Sequence, residues 1–216
     1  MVGKDTLKTM YFLLLGIFSV YIWNSILNLN AFFEENFNDS NIPKIYTNGY
    51  FIMTIFAFGL TLYVDQHFNI YSSIKFTFVA MVVLFNLIYV LCEYAANGIA
   101  KTAMFFLLMM VLGVSDLLLN NLCSGLSSRF GDTDVQLFFK GQAFSGLFTN
   151  AIMFLDILGS RTTDNVLIYK LFMLIGDVLF VLFMFLQDRF FSYCKNNSYK
   201  MRKVSLALSC KIIRRS

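Results

Sequence analysis

From Tyr11 to Phe33 the chain carries no charged side chain, and five further runs of similar character follow it. A helix needs about 20 mostly apolar residues to cross ~30 Å of hydrocarbon. The second run, Ile45 to Val64, lies between Lys44 and Asp65; the third, Phe76 to Cys92, lies between Lys75 and Glu93. Thr102 to Ser128 is interrupted only by Asp116, Val135 to Leu155 contains Lys140, and Val166 to Leu186 contains Lys170 and Asp177. Lipid accepts only helices and closed barrels, because each backbone N–H and C=O must be satisfied without water. These runs are too long and too uniformly apolar for barrel strands, which alternate. The pattern predicts an all-α polytopic transmembrane bundle of six spans over residues 1–187 and a basic cytoplasmic tail over 188–216.

Composition excludes the soluble alternatives. Hydrophobic residues make up 58% of the 216 and charged residues 14%, against about a quarter charged in soluble domains. Twenty-six Phe and eleven Tyr leave more apolar surface than a soluble fold of this size can hide. The first run is too long for a cleavable signal and lacks a small-residue cleavage pattern, so it is expected to remain as a signal-anchor helix. Cys92 and Cys123 fall inside apolar runs and read as small buried hydrophobes. With one His and scattered Cys no zinc site is expected, since zinc wants four clustered ligands. No nucleophile elbow, P-loop or zinc-protease helix appears, so no enzyme activity and no cofactor are expected, and no nucleic-acid polymer as partner.

Lys and Arg set the expected orientation. With the N-terminus inside, cytoplasmic segments hold Lys4, Lys8, Lys75, Arg129, Lys140 and the basic groups from Arg189 to Arg215; the other side holds only Lys44, Lys101, Arg161 and Lys170. The positive-inside rule then puts both termini in the cytoplasm, in the plasma membrane or an internal one. The first external loop carries the sequon Asn38-Asp39-Ser40, which makes Asn38 a glycosylation candidate. The tail meets anionic membrane lipid directly beyond a span. In it Met201, Val204, Leu208 and Ile212 either share an interfacial helix face or belong to a disordered basic end.

Polar groups inside spans are costly and each asks for a partner or a water-filled path. Trp23, beside Asn24, falls near the midplane of the first span rather than in an interfacial belt. It fits plain helix packing and an aromatic wall of a ligand pocket equally. Asp116, Asn120 and Ser124 recur at i, i+4 and i+8, so they form one stripe on one helix face, and three polar groups in line suit a solvated path. Lys140 either answers Asp116 or snorkels to the cytoplasmic surface. Asp177 has no partner that the sequence names. The segment Gly141-Gln142-Ala143-Phe144-Ser145-Gly146 is a near miss to a dinucleotide fingerprint in the wrong context. Gly141, Ser145 and Gly146 instead suit close helix packing.

Several of these segments resemble the equilibrative nucleoside transporter family. Tyr21-Ile22-Trp23-Asn24 resembles the Trp-Asn signature of its first helix. Asn120-Asn121-Leu122-Cys123-Ser124-Gly125-Leu126-Ser127 is similar to its fourth-helix segment, and Gly141-Gln142-Ala143-Phe144-Ser145-Gly146 to its fifth-helix Gly-Gln-Gly-x-Ala/Ser-Gly. Ile52-Met53-Thr54 resembles a second-helix stretch. The resemblance covers the family's first six helices and implies one half of a major-facilitator-like transporter. It implies cofactor-free, downhill transport of nucleosides or nucleobases, with Trp23 against the base and Asn120, where the family has Gln, as its hydrogen-bond partner. Asn24, Met53, Asp116 and Ser124 complete the expected substrate site. Two departures bear on this: Ile22 replaces a Pro that often precedes Trp-Asn, and Asp116 adds a charge. The family's second half, with its Arg/Asp pair, has no counterpart here, so transport would need a homodimer or a separately encoded second half. The alternative is a non-transporting membrane protein, a degenerate remnant or an accessory subunit.

Overall fold

The computed structural model describes residues 4–39, 41–96, 98–159 and 165–196, which form seven helices and, among them, no strand. These are α1 (Lys4–Asn28), α2 (Asn30–Phe37), α3 (Ile42–His67), α4 (Ile70–Tyr94), α5 (Ile99–Phe130), α6 (Asp132–Gly159) and α7 (Asn165–Asn196). Four of the described helices, α1, α4, α5 and α7, are long and apolar enough to cross a membrane, and α3 makes a fifth if its 41° bend is counted within one span. The chain is thus an all-helical bundle with the makings of a multi-pass membrane protein. Its outward surface agrees: Phe51, Ile55, Phe76, Leu147, Leu174 and Val181 are all exposed, and soluble monomers rarely expose apolar area on this scale.

Helix ends follow local chemistry. Asn69 caps α4, its side chain accepting the Tyr71 N–H at 3.0 Å, and so satisfies one of the orphan donors of the first turn. Gly131 ends α5 at φ 145°, a conformation that a Cβ disfavours, and so turns the chain straight into α6. The first apolar run is divided. α1 ends at Asn28, and α2 starts at Asn30 after Leu29. Asn30 is held from outside by the Tyr46 hydroxyl of α3, and α2 buries Phe32 and Phe33 while Glu34 and Glu35 face out. Asn38 caps α2 in the left-handed region at φ 50° and is exposed; Ser40 of the sequon lies outside the described residues. α7 continues to Asn196, so the start of the basic tail is helical. Met201, Val204, Leu208 and Ile212 lie outside the described residues.

The core sits around α1, whose strongest packing is against α6. Gly16 and Gly141 make that contact. A Cβ at Gly16 would stand 2.0 Å from the Phe138 carbonyl oxygen, and one at Gly141 would stand 2.1 Å from that of Leu13. Ser145, one turn beyond Gly141, is fully buried in the same interface, and Lys8 pairs with the buried Asp134 at 2.7 Å at one end. Dispersion between closely approaching backbones is what holds helices together in lipid, where both sides are equally apolar. Hydroxyls in the core find carbonyls: Tyr21 donates to Phe172 O at 3.1 Å and Tyr169 to Phe85 O at 3.0 Å. Cys92 and Cys123 are buried, with free thiols.

Candidate functional site

Four helices, α1, α3, α5 and α6, bring their polar side chains to one region. The Trp23 ring of α1 stacks on the Tyr50 ring of α3, centroids 3.7 Å apart and planes at 15°. Tyr50 Oη donates to Asp116 Oδ2 of α5 at 3.0 Å. Asp116 is 1% exposed, and its Oδ1 has no hydrogen-bond partner among the described residues. Gly113, one turn before Asp116, makes room for this arrangement: a Cβ there would meet Tyr50 Cδ2 at 2.9 Å.

A second set of contacts lies one turn along α5. Gln142 of α6 donates from Nε2 to Asn120 Oδ1 at 2.7 Å and to Ser19 Oγ of α1 at 3.1 Å. Asn24 Nδ2 reaches Ser145 Oγ at 3.5 Å, the outer limit of a hydrogen bond, and a Cβ on Gly146 would lie 3.8 Å from the same amide nitrogen. Asn121, beside Asn120, donates to Thr61 Oγ1 of α3 at 3.2 Å. Trp23, Asn24, Asn120, Ser124 and Gln142 are all partly exposed. The result is a half-open polar face lined by an aromatic pair and by amides whose groups both donate and accept. Chemically, such a face suits a flat, hydrogen-bonding group.

The expected residues are distributed unevenly over this face. Trp23, Asn24, Asp116 and Asn120 stand in it with defined partners. Ser124 shares the stripe two turns from Asp116, its carbonyl accepting the Ser127 hydroxyl at 2.8 Å. Met53 is partly buried one turn after Tyr50, and the Thr54 side chain lies outside the described set. Lys140 does not answer Asp116: it is exposed on α6, and the described ion pairs join Lys8 to Asp134 and Lys75 to Asp188. Tyr50 supplies the contact instead.

Two members of the site escaped the residue-by-residue reading. Tyr50 is one of eleven tyrosines in an aromatic-rich chain, and Gln142 stood inside the fifth-helix segment 141–146 with no role of its own. The available signal was spacing: Tyr50 precedes Met53 by one turn, and Gln142 directly follows the packing glycine Gly141. Among the described residues, no three His, Cys, Asp or Glu side chains gather as metal ligands. A cavity of about 430 Å³ lies elsewhere, where Leu60 and Val64 of α3 and Phe76 and Thr77 of α4 meet Leu118 of α5. In comparison with known proteins, the chain matches no family model and no curated sequence.

Proposed function

We propose that the chain is one bundle of a facilitative transporter for nucleosides or nucleobases, working with a second bundle from another copy or a separately encoded partner. The carrying observation is the half-open face on which Trp23 and Tyr50 form an aromatic wall beside Asn120 and Gln142. A base has a π-face suited to such a wall and an edge of donors and acceptors suited to the amides. A single bundle offers one side of a site, and in parallel-repeat transporters substrate lies between two bundles that rock about it. In this reading α6 is the fifth span in chain order and, with α1, α3, α4, α5 and α7, completes the six. Its polar Ser145 and Thr149 are turned into the bundle at 0% exposure, so it still offers lipid an apolar face. The distribution of Lys and Arg supports cytoplasmic termini and an outward-facing, glycosylated Asn38.

A specific observation favours the rival reading, a non-transporting membrane protein. Tyr50 already lies on Trp23, and Gln142 already holds Asn120, so the polar face is satisfied from within. Uptake of labelled purine and pyrimidine nucleosides and nucleobases into proteoliposomes separates the two. Transport predicts saturable, downhill uptake that Trp23→Ala and Asn120→Leu abolish at near-normal expression. Full uptake in both variants returns these residues to packing, and no uptake or binding by the wild-type chain favours the rival.

A further inference from the structure

Asp177 plays no part in the site above. It stands near the middle of the span Asn165–Ser192: at 1.5 Å per residue, it is about 18 Å from one end and about 22 Å from the other. That places it at mid-bilayer, yet its side chain is exposed on the outward face of α7. Leu174 and Val181, about one turn to either side, are 62% and 65% exposed. The polar neighbour is Asn86 of α4, whose Nδ2 donates to Asp177 Oδ1 at 3.5 Å, the outer limit of a hydrogen bond, while its shorter bond, at 2.8 Å, goes to Val82 O. Neither described ion pair includes Asp177. Lys170 is on the same face but about 10 Å along the axis, too far to pair. A lysine near a helix end extends toward the interface, whereas an aspartate has no stem with which to do so.

A lipid-facing carboxylate at this depth is unfavourable and calls for a polar partner. We infer that the α4/α7 face around Asn86 and Asp177 docks a membrane-spanning helix of another protein that presents a lysine or arginine at mid-bilayer. Charge selects that occupant. Two copies of this chain inserted the same way and related by a two-fold axis along the membrane normal would set Asp177 against Asp177 and Lys170 against Lys170, like facing like at equal depth. The chain's own tail does not serve: its first basic residue, Arg189, lies about 18 Å along α7 from Asp177. Bringing irregular backbone down to Asp177 would strand its N–H and C=O groups in lipid. Val83 and Val90, exposed beside Asn86 on α4, supply an apolar rim against which a helix packs.

The test uses the full chain, fluorescently labelled in liposomes, with synthetic leucine-rich helices of about 20 residues, either with a central lysine or all leucine. Energy transfer should report roughly tenfold tighter association of the lysine helix with the wild-type chain, the scale of one interhelical polar contact. That preference should shrink in Asp177→Asn and vanish in Asp177→Leu, with melting temperatures no lower than wild type because the side chain faces outward. Equal association of the two helices with the wild-type chain overturns the inference, as does a preference kept in both variants. Wild-type self-association that disappears in Asp177→Leu, without a lysine preference, overturns it in favour of a second copy.

Discussion

Tyr50 holds two neighbours at once, its ring on Trp23 and its hydroxyl on Asp116, and the two contacts can be separated. Phe keeps the stack and removes the donor, leaving both Asp116 oxygens without a partner in a site 1% exposed. Orphaning a buried polar group costs about 1–3 kcal/mol, and more for a charged one. Tyr50→Phe should therefore lower the thermal unfolding temperature in detergent. Adding Asp116→Leu should restore most of the loss, because removing both partners is far cheaper than removing one. Additive losses in the double variant would mean that the hydrogen bond is not what keeps Asp116 buried. Gln142 of α6 works in the same way on Asn120, one turn along α5 from Asp116. Gln142→Leu strips the amide from Asn120 and leaves Ser19 its bond to the Gly16 carbonyl. On the transporter reading proposed above, uptake should fall to background while expression stays near wild type.

At the scale of the element, α1 and α6 meet through glycine at a distance that no side chain permits. Gly141→Val should push the helices apart, because a Cβ there stands 2.1 Å from the Leu13 carbonyl oxygen. Overpacking costs typically ~1–3 kcal/mol, so a clear drop in melting temperature is expected. The same change at Gly125, where a Cβ meets nothing within 4 Å, should be nearly silent. Equal effects at the two positions would refute the tight crossing. This contact was legible as a small-residue pattern because close approach depends on side-chain size, which sequence records. The third, fourth and sixth apolar runs were likewise legible and became α4, α5 and α7. Each helix is longer than its run because apolarity marks the hydrocarbon, whereas a helix stops at its cap, Asn69 for α4 and Gly131 for α5. The break at Leu29 was not legible, since it depends on Tyr46 of another helix reaching Asn30. Nor was the Tyr50–Asp116 contact: periodicity puts Asp116 on a face but says nothing of which helix lies opposite, or in what register.

Across the whole molecule the apolar exterior, the basic asymmetry and the half-open face make linked demands. The proposed orientation, with both termini in the cytoplasm, puts Glu35 on the other side, so an impermeant thiol reagent should label a cysteine placed at Glu35 from outside and not from within. Cytoplasmic labelling there would reverse the orientation. The proposed assembly rests on the exposure of the polar face. Trp23, Asn120, Ser124 and Gln142 are only partly covered by their own bundle, and amides facing hydrocarbon are unfavourable. A path buried wholly within six helices would have these groups enclosed, whereas a path between two bundles leaves them half-open on each. Two copies related by a two-fold axis along the membrane normal set two such faces across a central cavity, the arrangement that parallel-repeat transporters build within one chain and the commonest closed oligomer. Nanodiscs loaded with one chain or with two, assayed for nucleoside binding, measure the difference directly. Binding should appear with two chains and be weak or absent with one. Full-affinity binding by a single chain would place a complete site inside one bundle and remove the need for a partner.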